Sequence, residues 1–261
     1  MSNKLNQQSQ ATAPSQTEKL IIEKQELEAA NQELEEFVST VSHDLQAPLR
    51  SLTMFAELLA KEYQNELDEV GAKYIQHITD SGVRMQTLIQ DLLLYSRAGK
   101  SQQTWVFVNL NTILDKVNLD LQAAIAETQA VIVVEDLPTI FVNPSEITQV
   151  FQNLIDNAIK FCSREQQPWI EIKAQQKQEN WLISVKDNGI GIEPEFQEQI
   201  FQVLQRLHPP EAYPGTGIGL AICQKIIKRY DGKIWVESEP GKGSTFYFTF
   251  PIQNRGRALR P

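Results

Sequence analysis

The sequence is short of the features that would place it in several broad classes. Its 24 lysines and arginines are outnumbered by 33 aspartates and glutamates, a net charge of -9. Nucleic acid is therefore not expected as a main partner, because phosphate backbones attract basic surfaces. The basic tail RGRALRP is too short to alter that balance. No segment approaches the roughly 20 apolar residues needed to span a bilayer. The N-terminal MSNKLNQQSQATAPSQ lacks the apolar core of a signal peptide. A cytoplasmic protein is expected. Cysteine is nearly absent: Cys162 and Cys223 are far apart and have no C-x-x-C spacing. They read as small buried hydrophobes, with neither a disulfide nor a structural metal expected.

What is present is a hydrophobic content of 41% over 261 residues, ample for a core and for two modest domains. Residues 1–17, rich in Gln, Ser, Asn and Thr, bury too little apolar surface to offset ordering and read as a disordered lead-in. Leu20, Leu27, Leu34 and Val41 then recur every seven residues, with Lys24, Asn31, Val38 and Leu45 on companion positions. A dimeric coiled coil and a single amphipathic helix both give this pattern. Lys24 and Asn31 fit a narrow two-helix seam better than a globular core, which favours a homodimer. In that register His43, within VSTVSHDLQAPLRSL, faces away from the seam. Pro48 lacks an N–H and its ring opposes the carbonyl of Asp44, so a bend is expected beside His43. Leu45, Leu49, Leu52, Phe55, Leu58 and Leu59 carry the stripe to about Lys61. After EYQNELDEVG, a second helix is spaced by Tyr74, Ile78, Met85, Leu88, Leu92 and Leu93. Such a hairpin, doubled, makes a four-helix bundle. SRAGKSQQ then supplies a polar hinge.

Beyond the hinge, TWVFV, AVIVVE, TIFV, WIEIKAQQ, WLISVKD, KIWVESE and STFYFTFP read as strands, with helices near 110–127, 145–162 and 217–230. The mixture lacks regular βαβ alternation and predicts an α+β sandwich with helices on one face of a mixed sheet. On SEITQVFQNLIDNAIKF, Asn153, Asn157 and Lys160 share one flank beside the apolar face of Ile147, Phe151, Leu154 and Ala158. Carboxamide oxygens suit Mg2+ and a lysine suits phosphate, although an ordinary polar flank looks the same. VKDNGIGI ends a strand at Asp187 and turns on Gly189 and Gly191, while PGTGIGLAI opens a helix after Gly215, Gly217 and Gly219. Such glycines let backbone amides approach phosphates. Neither the full Rossmann spacing nor the Walker lysine is present.

Taken in order, these elements resemble the ATP-binding domains of bacterial sensor histidine kinases, within the ATPase group shared with gyrase, Hsp90 and MutL. NLIDNAIKF is similar to the N box, DNGIGI and GTGIGLAI to the two glycine boxes, FQVL to the F box, and SHDLQAPLRSL to the phosphoacceptor H box. The run from FQVL to FYF is similar to kinase modules of the phytochrome type. The resemblance implies that His43 accepts phosphate and that Asp44 orients its imidazole or takes its proton. It implies Asn157 as the Mg2+ ligand at the ATP phosphates, with Asn153 and Lys160 close by. Asp187 would accept from the adenine amino group, with Gly189 and Gly191 bordering the base. Residues 193–214 would form a mobile lid, with Arg206 toward the γ-phosphate and Gly215, Gly217 and Gly219 as its hinge.

Three residues depart from the family pattern. Ala47 stands where many relatives carry the Thr or Asn linked to dephosphorylating the partner, so phosphatase activity is not expected. Leu204 replaces a frequent second Phe of the F box, and Asn143 a frequent Asp. The domains expected are a lead-in at 1–17, a dimerising phosphoacceptor hairpin at 18–98 and a linker at 99–104. An ATP-binding domain at 105–252 and a basic tail at 253–261 complete the chain. The implied function is autophosphorylation of His43 from Mg-ATP and transfer to an aspartate on the receiver domain of a separate response regulator. Input would come from a separate sensor partner or a further portion of the protein. The alternative is a dimeric regulator-binding scaffold with little ATP turnover.

Overall fold

The computed structural model describes residues 16–98, 105–163, 165–209 and 212–252. The expected linker at 99–104, the tail at 253–261 and nearly all of the lead-in lie outside the described residues, as do the side chains of Leu20, Leu27, Asn31 and Leu34.

Two long helices open the chain. Helix α1 spans Gln16–Glu62, starting two residues ahead of the expected folded part, and remains helical through Pro48. Helix α2 spans Glu69–Arg97. The side chain of Asp68 caps α2 by accepting from the Gly71 N–H at 2.7 Å. The two helices pack antiparallel through small residues. Gly82 leaves no room for a Cβ beside the Thr53 hydroxyl, and Gln86 Nε2 donates to Thr53 Oγ1 at 3.3 Å. Ser42, Leu49 and Ala56, seven residues apart, are buried on this side of α1. The seam positions of the heptad are not used by the hairpin itself: Leu45, Leu52, Phe55 and Leu59 on α1 remain exposed, as do Tyr74, Ile78 and Met85 on α2.

All seven expected strands form. β1 (Val106–Asn109) pairs antiparallel with β3 (Thr139–Val142). The main sheet runs β2 (Val131–Val134), β4 (Trp169–Lys177), β5 (Asn180–Asp187), β7 (Gly243–Pro251), β6 (Ile234–Glu239). Only β2 and β4 are parallel in it. Alternation sorts its two faces: Ile170, Ile172, Ile183, Val185, Phe246, Phe248 and Phe250 are buried, whereas Lys173 pairs with Glu171 and Glu135 on the outer side. Helices α3 (Leu110–Asp120), α4 (Gln122–Thr128), α5 (Pro144–Lys160) and α6 (Gly219–Arg229) complete the domain. Residues of α3, α5 and α6 join the buried strand residues in one core. This is the expected α+β arrangement, a helical hairpin followed by a helix-on-sheet sandwich.

Asn143 takes the role a short acidic residue would also fill. Its Oδ1 accepts from the N–H and hydroxyl of Ser145, capping α5, while its Nδ2 is buried without a partner among the described residues. One turn on, the buried carboxylate of Glu146 accepts from the Tyr230 hydroxyl and from Arg229 Nη1, both at 2.6 Å. These bonds tie the start of α5 to the end of α6. Cys162 and Cys223 are both buried, as expected of small hydrophobes.

Helix α5 is anchored by Phe151, fully buried and edge-on to Phe248 at 5.7 Å between ring centroids. Phe151→Ala should cost about 3–5 kcal/mol, measured by denaturant unfolding; a loss under about 1 kcal/mol would contradict this account of the core.

Candidate active site

The buried stripe of α5 leaves its polar flank over a cavity of about 350 Å³. Asn153, Asp156, Asn157, Lys160 and Phe161 line one wall, and Asp187, Ile190, Gly191 and Ile192 another. The lid segment supplies Arg206, His208 and Tyr213, and the second glycine run supplies Gly215, Gly217 and Gly219. The sequence-predicted binding residues therefore converge, except that Gly189 sits beside Asp187 without lining the cavity.

Asp187 ends β5 in a nearly closed setting. Its Oδ1 accepts from the N–H groups of Gly189 at 2.8 Å and Ser244 at 3.0 Å. Its Oδ2 has no hydrogen bond among the described residues and is left to meet a donor in the cavity. Burial pushes its carboxyl up to about 6, against the opposing pull of the two amides. The following turn requires glycine at Gly191, where φ is +73° and a Cβ would collide with the Glu239 carbonyl. Gly217 is equally constrained, with φ of +76° and a Cβ position 2.6 Å from the Gln205 carbonyl.

The polar groups divide by what they already hold. Asn153 is committed to the fold: its Oδ1 accepts from Gln149, and its Nδ2 donates to the carbonyl of Gly219 at 3.0 Å, joining α5 to α6. The Asn157 carboxamide, by contrast, makes no hydrogen bond among the described residues and lines the cavity. It is thus an available hard oxygen donor, which fits Mg2+ chemistry. Lys160 pairs with Asp156 at 3.1 Å and lies beside Gly215. Arg206 Nη2 donates to the Tyr213 carbonyl at 3.1 Å, within the lid itself.

Several contributors were not foreseen from sequence. The rings of Phe161, His208 and Tyr213 cluster at centroid distances of 5.1–6.3 Å, fastening the lid to the end of α5. The aromatic residues among the lid prolines were a signal for this contact. Thr87 and Asp91 of α2 also line the cavity, and Thr216 Oγ1 donates to Asp91 Oδ2. Nothing local in the sequence marks a contact between residues 125 apart.

His43 lies outside the cavity. Its side chain is 85% exposed, and Nδ1 is 3.3 Å from Asp44 Oδ1. Helix geometry argues against adjacent residues meeting, yet here both side chains extend into solvent and reach each other. The hairpin register fixes the height of His43. Thr53 packs between Gly82 and Gln86. Moving ten residues back along α1, about 15 Å, puts His43 opposite the α2 stretch around Leu94. Asp91 is within about one turn of that level, and so are Tyr95 and Ser96, whose carbonyls accept from Lys225 of α6 at 2.7 and 3.1 Å. The cavity therefore meets the hairpin at the height of His43.

A buried carboxyl with a raised pKa holds its proton more tightly in the folded chain. Its destabilising effect is absent below about pH 4 and complete above about 6. Asp187→Asn should therefore be more stable than the wild type at pH 7.5, by up to about 3 kcal/mol, and the gap should close near pH 4. Thermal unfolding of both proteins at the two pH values checks this, and a pH-independent gap would contradict the burial argument.

Comparison with known proteins agrees with this architecture. Residues 142–254 match the family described as histidine kinase-, DNA gyrase B- and HSP90-like ATPase, and residues 33–101 match the His Kinase A (phospho-acceptor) domain. Cyanobacterial phytochrome A of Nostoc sp. is 45% identical over 90% of this chain and 31% of its own length. Phytochrome-like protein Cph1 of Synechocystis sp. is 41% identical over 92% of this chain and 32% of its own length. The chain thus spans about a third of those relatives. Full-length ShkA in complex with AMPPNP is similar at a TM-score of 0.63 and 26% identity, covering 83% of this chain and 45% of that one. Histidine kinase ThkA in complex with response regulator protein TrrA is similar at a TM-score of 0.60 and 26% identity, covering 90% of this chain and 67% of that one. With the phospho-acceptor domain in the α1–α2 hairpin and the ATPase domain in the sandwich, the chain belongs to the histidine kinases, and the relatives it matches include cyanobacterial phytochromes.

Proposed function

We propose that this chain is a homodimeric, ATP-dependent protein histidine kinase that phosphorylates His43 and passes the phosphoryl group to an aspartate of a separate response regulator. The observation that carries this reading is the exposed His43, oriented by Asp44 and level with the point where the nucleotide-sized cavity meets α2. The AMPPNP in the ShkA complex and the regulator in the ThkA complex support the same substrate and partner here.

In this reading Asp187 accepts from the adenine amino group through Oδ2, and the apolar side chains of Ile190 and Ile192 flank the base. Lys160 and Arg206 neutralise phosphate charge. Asn157 holds Mg2+, which supplies neutralisation of charge at the phosphates. Asn153 acts by positioning α6 and the loop ahead of it. With its Nδ1–H directed to Asp44, neutral His43 attacks the γ-phosphorus through the Nε2 lone pair; the Nδ1 proton passes to Asp44 as the N–P bond forms and the bond to the ADP oxygen breaks. Input would come from a separate sensor partner or from a further portion of the protein, and the working compartment would be the cytoplasm. No helix among the described residues is long and apolar enough to cross a membrane.

Incubation with γ-labelled ATP and Mg2+ should give acid-labile, alkali-stable label that is lost in His43→Gln. Absence of label in the wild type would favour a regulator-binding scaffold, and label in the variant would mean another acceptor. The exposed stripe of Leu45, Leu52, Phe55 and Leu59 is assigned to the second copy. Leu52→Glu with Phe55→Glu should shift the protein from dimer to monomer in sedimentation, whereas an unchanged dimer would place the interface elsewhere.

A further inference from the structure

The hairpin helix α2 is built into the nucleotide cavity as well as into the phosphoacceptor bundle. Asp91 is half-buried and lines the cavity, and its carboxylate accepts from Thr216, the residue between two glycines of the second glycine run. A second anchor lies outside the cavity. Lys225 Nζ donates to the Tyr95 and Ser96 carbonyls in the last turn of α2 and sits 4.7 Å from the centre of the Tyr95 ring. A lysine at a helix C-terminus meets carbonyls that lack intrahelical partners and the negative end of the helix dipole. These two contacts dock the ATPase domain on α2.

We propose that this docked arrangement and the phosphates of ATP compete, with the Asp91 carboxylate as the group that opposes them. The inference rests on the ATP reading given above. Charged groups lining the cavity besides Asp91 are Asp156, Lys160, Arg206 and, toward the base, Asp187. Lys160 is already paired with Asp156, so a triphosphate entering the docked cavity meets Asp91 with Arg206 as the cation not held by a carboxylate among these groups. Like charges brought together in a partly desolvated pocket repel far more than in water. Release of α2 removes that carboxylate from the wall, so nucleotide loading favours the undocked domain and docking weakens nucleotide binding.

The test is titration of the full chain with a non-hydrolysable ATP analogue plus Mg2+ and, separately, with adenosine, which carries no phosphate. Asp91→Asn keeps an acceptor for Thr216 and loses the charge. It should bind the ATP analogue about tenfold more tightly and adenosine no differently. Lys225→Met, which weakens docking from outside the cavity, should also tighten analogue binding severalfold. Unchanged or weaker analogue binding in Asp91→Asn would overturn the proposal, weaker binding marking Asp91 as a supporting ligand of the Mg2+-phosphate group. So would an unchanged affinity in Lys225→Met. Failure of wild type and both variants to bind either compound would overturn the ATP reading itself, and this inference with it.

Discussion

The hydrogen bond from the Ile190 N–H to the Phe161 carbonyl, 2.9 Å long, joins the C-terminal cap of α5 to the turn that follows β5. The rest of the cavity depends on that join. Gly189 fits because a Cβ there would lie 2.8 Å from the same carbonyl. The turn then directs the Gly189 amide back to Asp187 and brings Ile190 and Ile192 to the wall. The Phe161 ring meets Tyr213 and His208, so one residue at a helix end holds both the turn after β5 and the segment carrying His208 and Tyr213. Phe161 can do this because α5 is fixed beneath it by an apolar stripe that includes Phe151 and Leu154.

The electrostatics of the cavity run against stability. Asp187 is kept buried with two backbone donors that only partly compensate its desolvation. Hydrogen bonds from the Gly189 and Ser244 amides hold Oδ1 and so fix the direction of Oδ2. The surface trio of Lys173, Glu171 and Glu135 offsets little of this cost, since exposed ion pairs contribute weakly. The balance comes from the core: a continuous apolar layer between α3, α5, α6 and the sheet, closed at one end by Glu146, Tyr230 and Arg229.

What could be read from sequence was what repeats or breaks locally. Strands of alternating pattern, the α5 stripe and the glycine runs each leave a short-range signature, and all seven strands and both glycine turns stand where the pattern put them. The departures have a common cause in contacts between distant segments. Asn153 looks like a ligand on its helix flank, yet the carbonyl it reaches belongs to Gly219, 66 residues on. Asp91 looks like a solvated helix residue until α6 and the glycine loop are laid against α2. Leu204, which replaces a frequent second Phe of the F box, adopts φ of +65° and remains exposed.

Helix α1 shows how one stretch of chain reconciles three demands. The positions of Ser42, Leu49 and Ala56 turn toward α2, and the small side chains of Ser42 and Ala56 permit close approach of the two helices. The heptad seam of Leu45, Leu52, Phe55 and Leu59 stays open on another face. Those two faces exclude a reactive side chain, because either would bury it. The remaining face carries His43, with its neighbour Asp44 close enough to set the imidazole. Pro48 offers no N–H to the Asp44 carbonyl, so the backbone beside the acceptor lacks one of the bonds that stiffen the helix elsewhere. His43 thus sits on an exposed face of α1, one residue before the carbonyl that Pro48 leaves without its helical N–H, while the docking contacts on α2 hold the cavity at the same height.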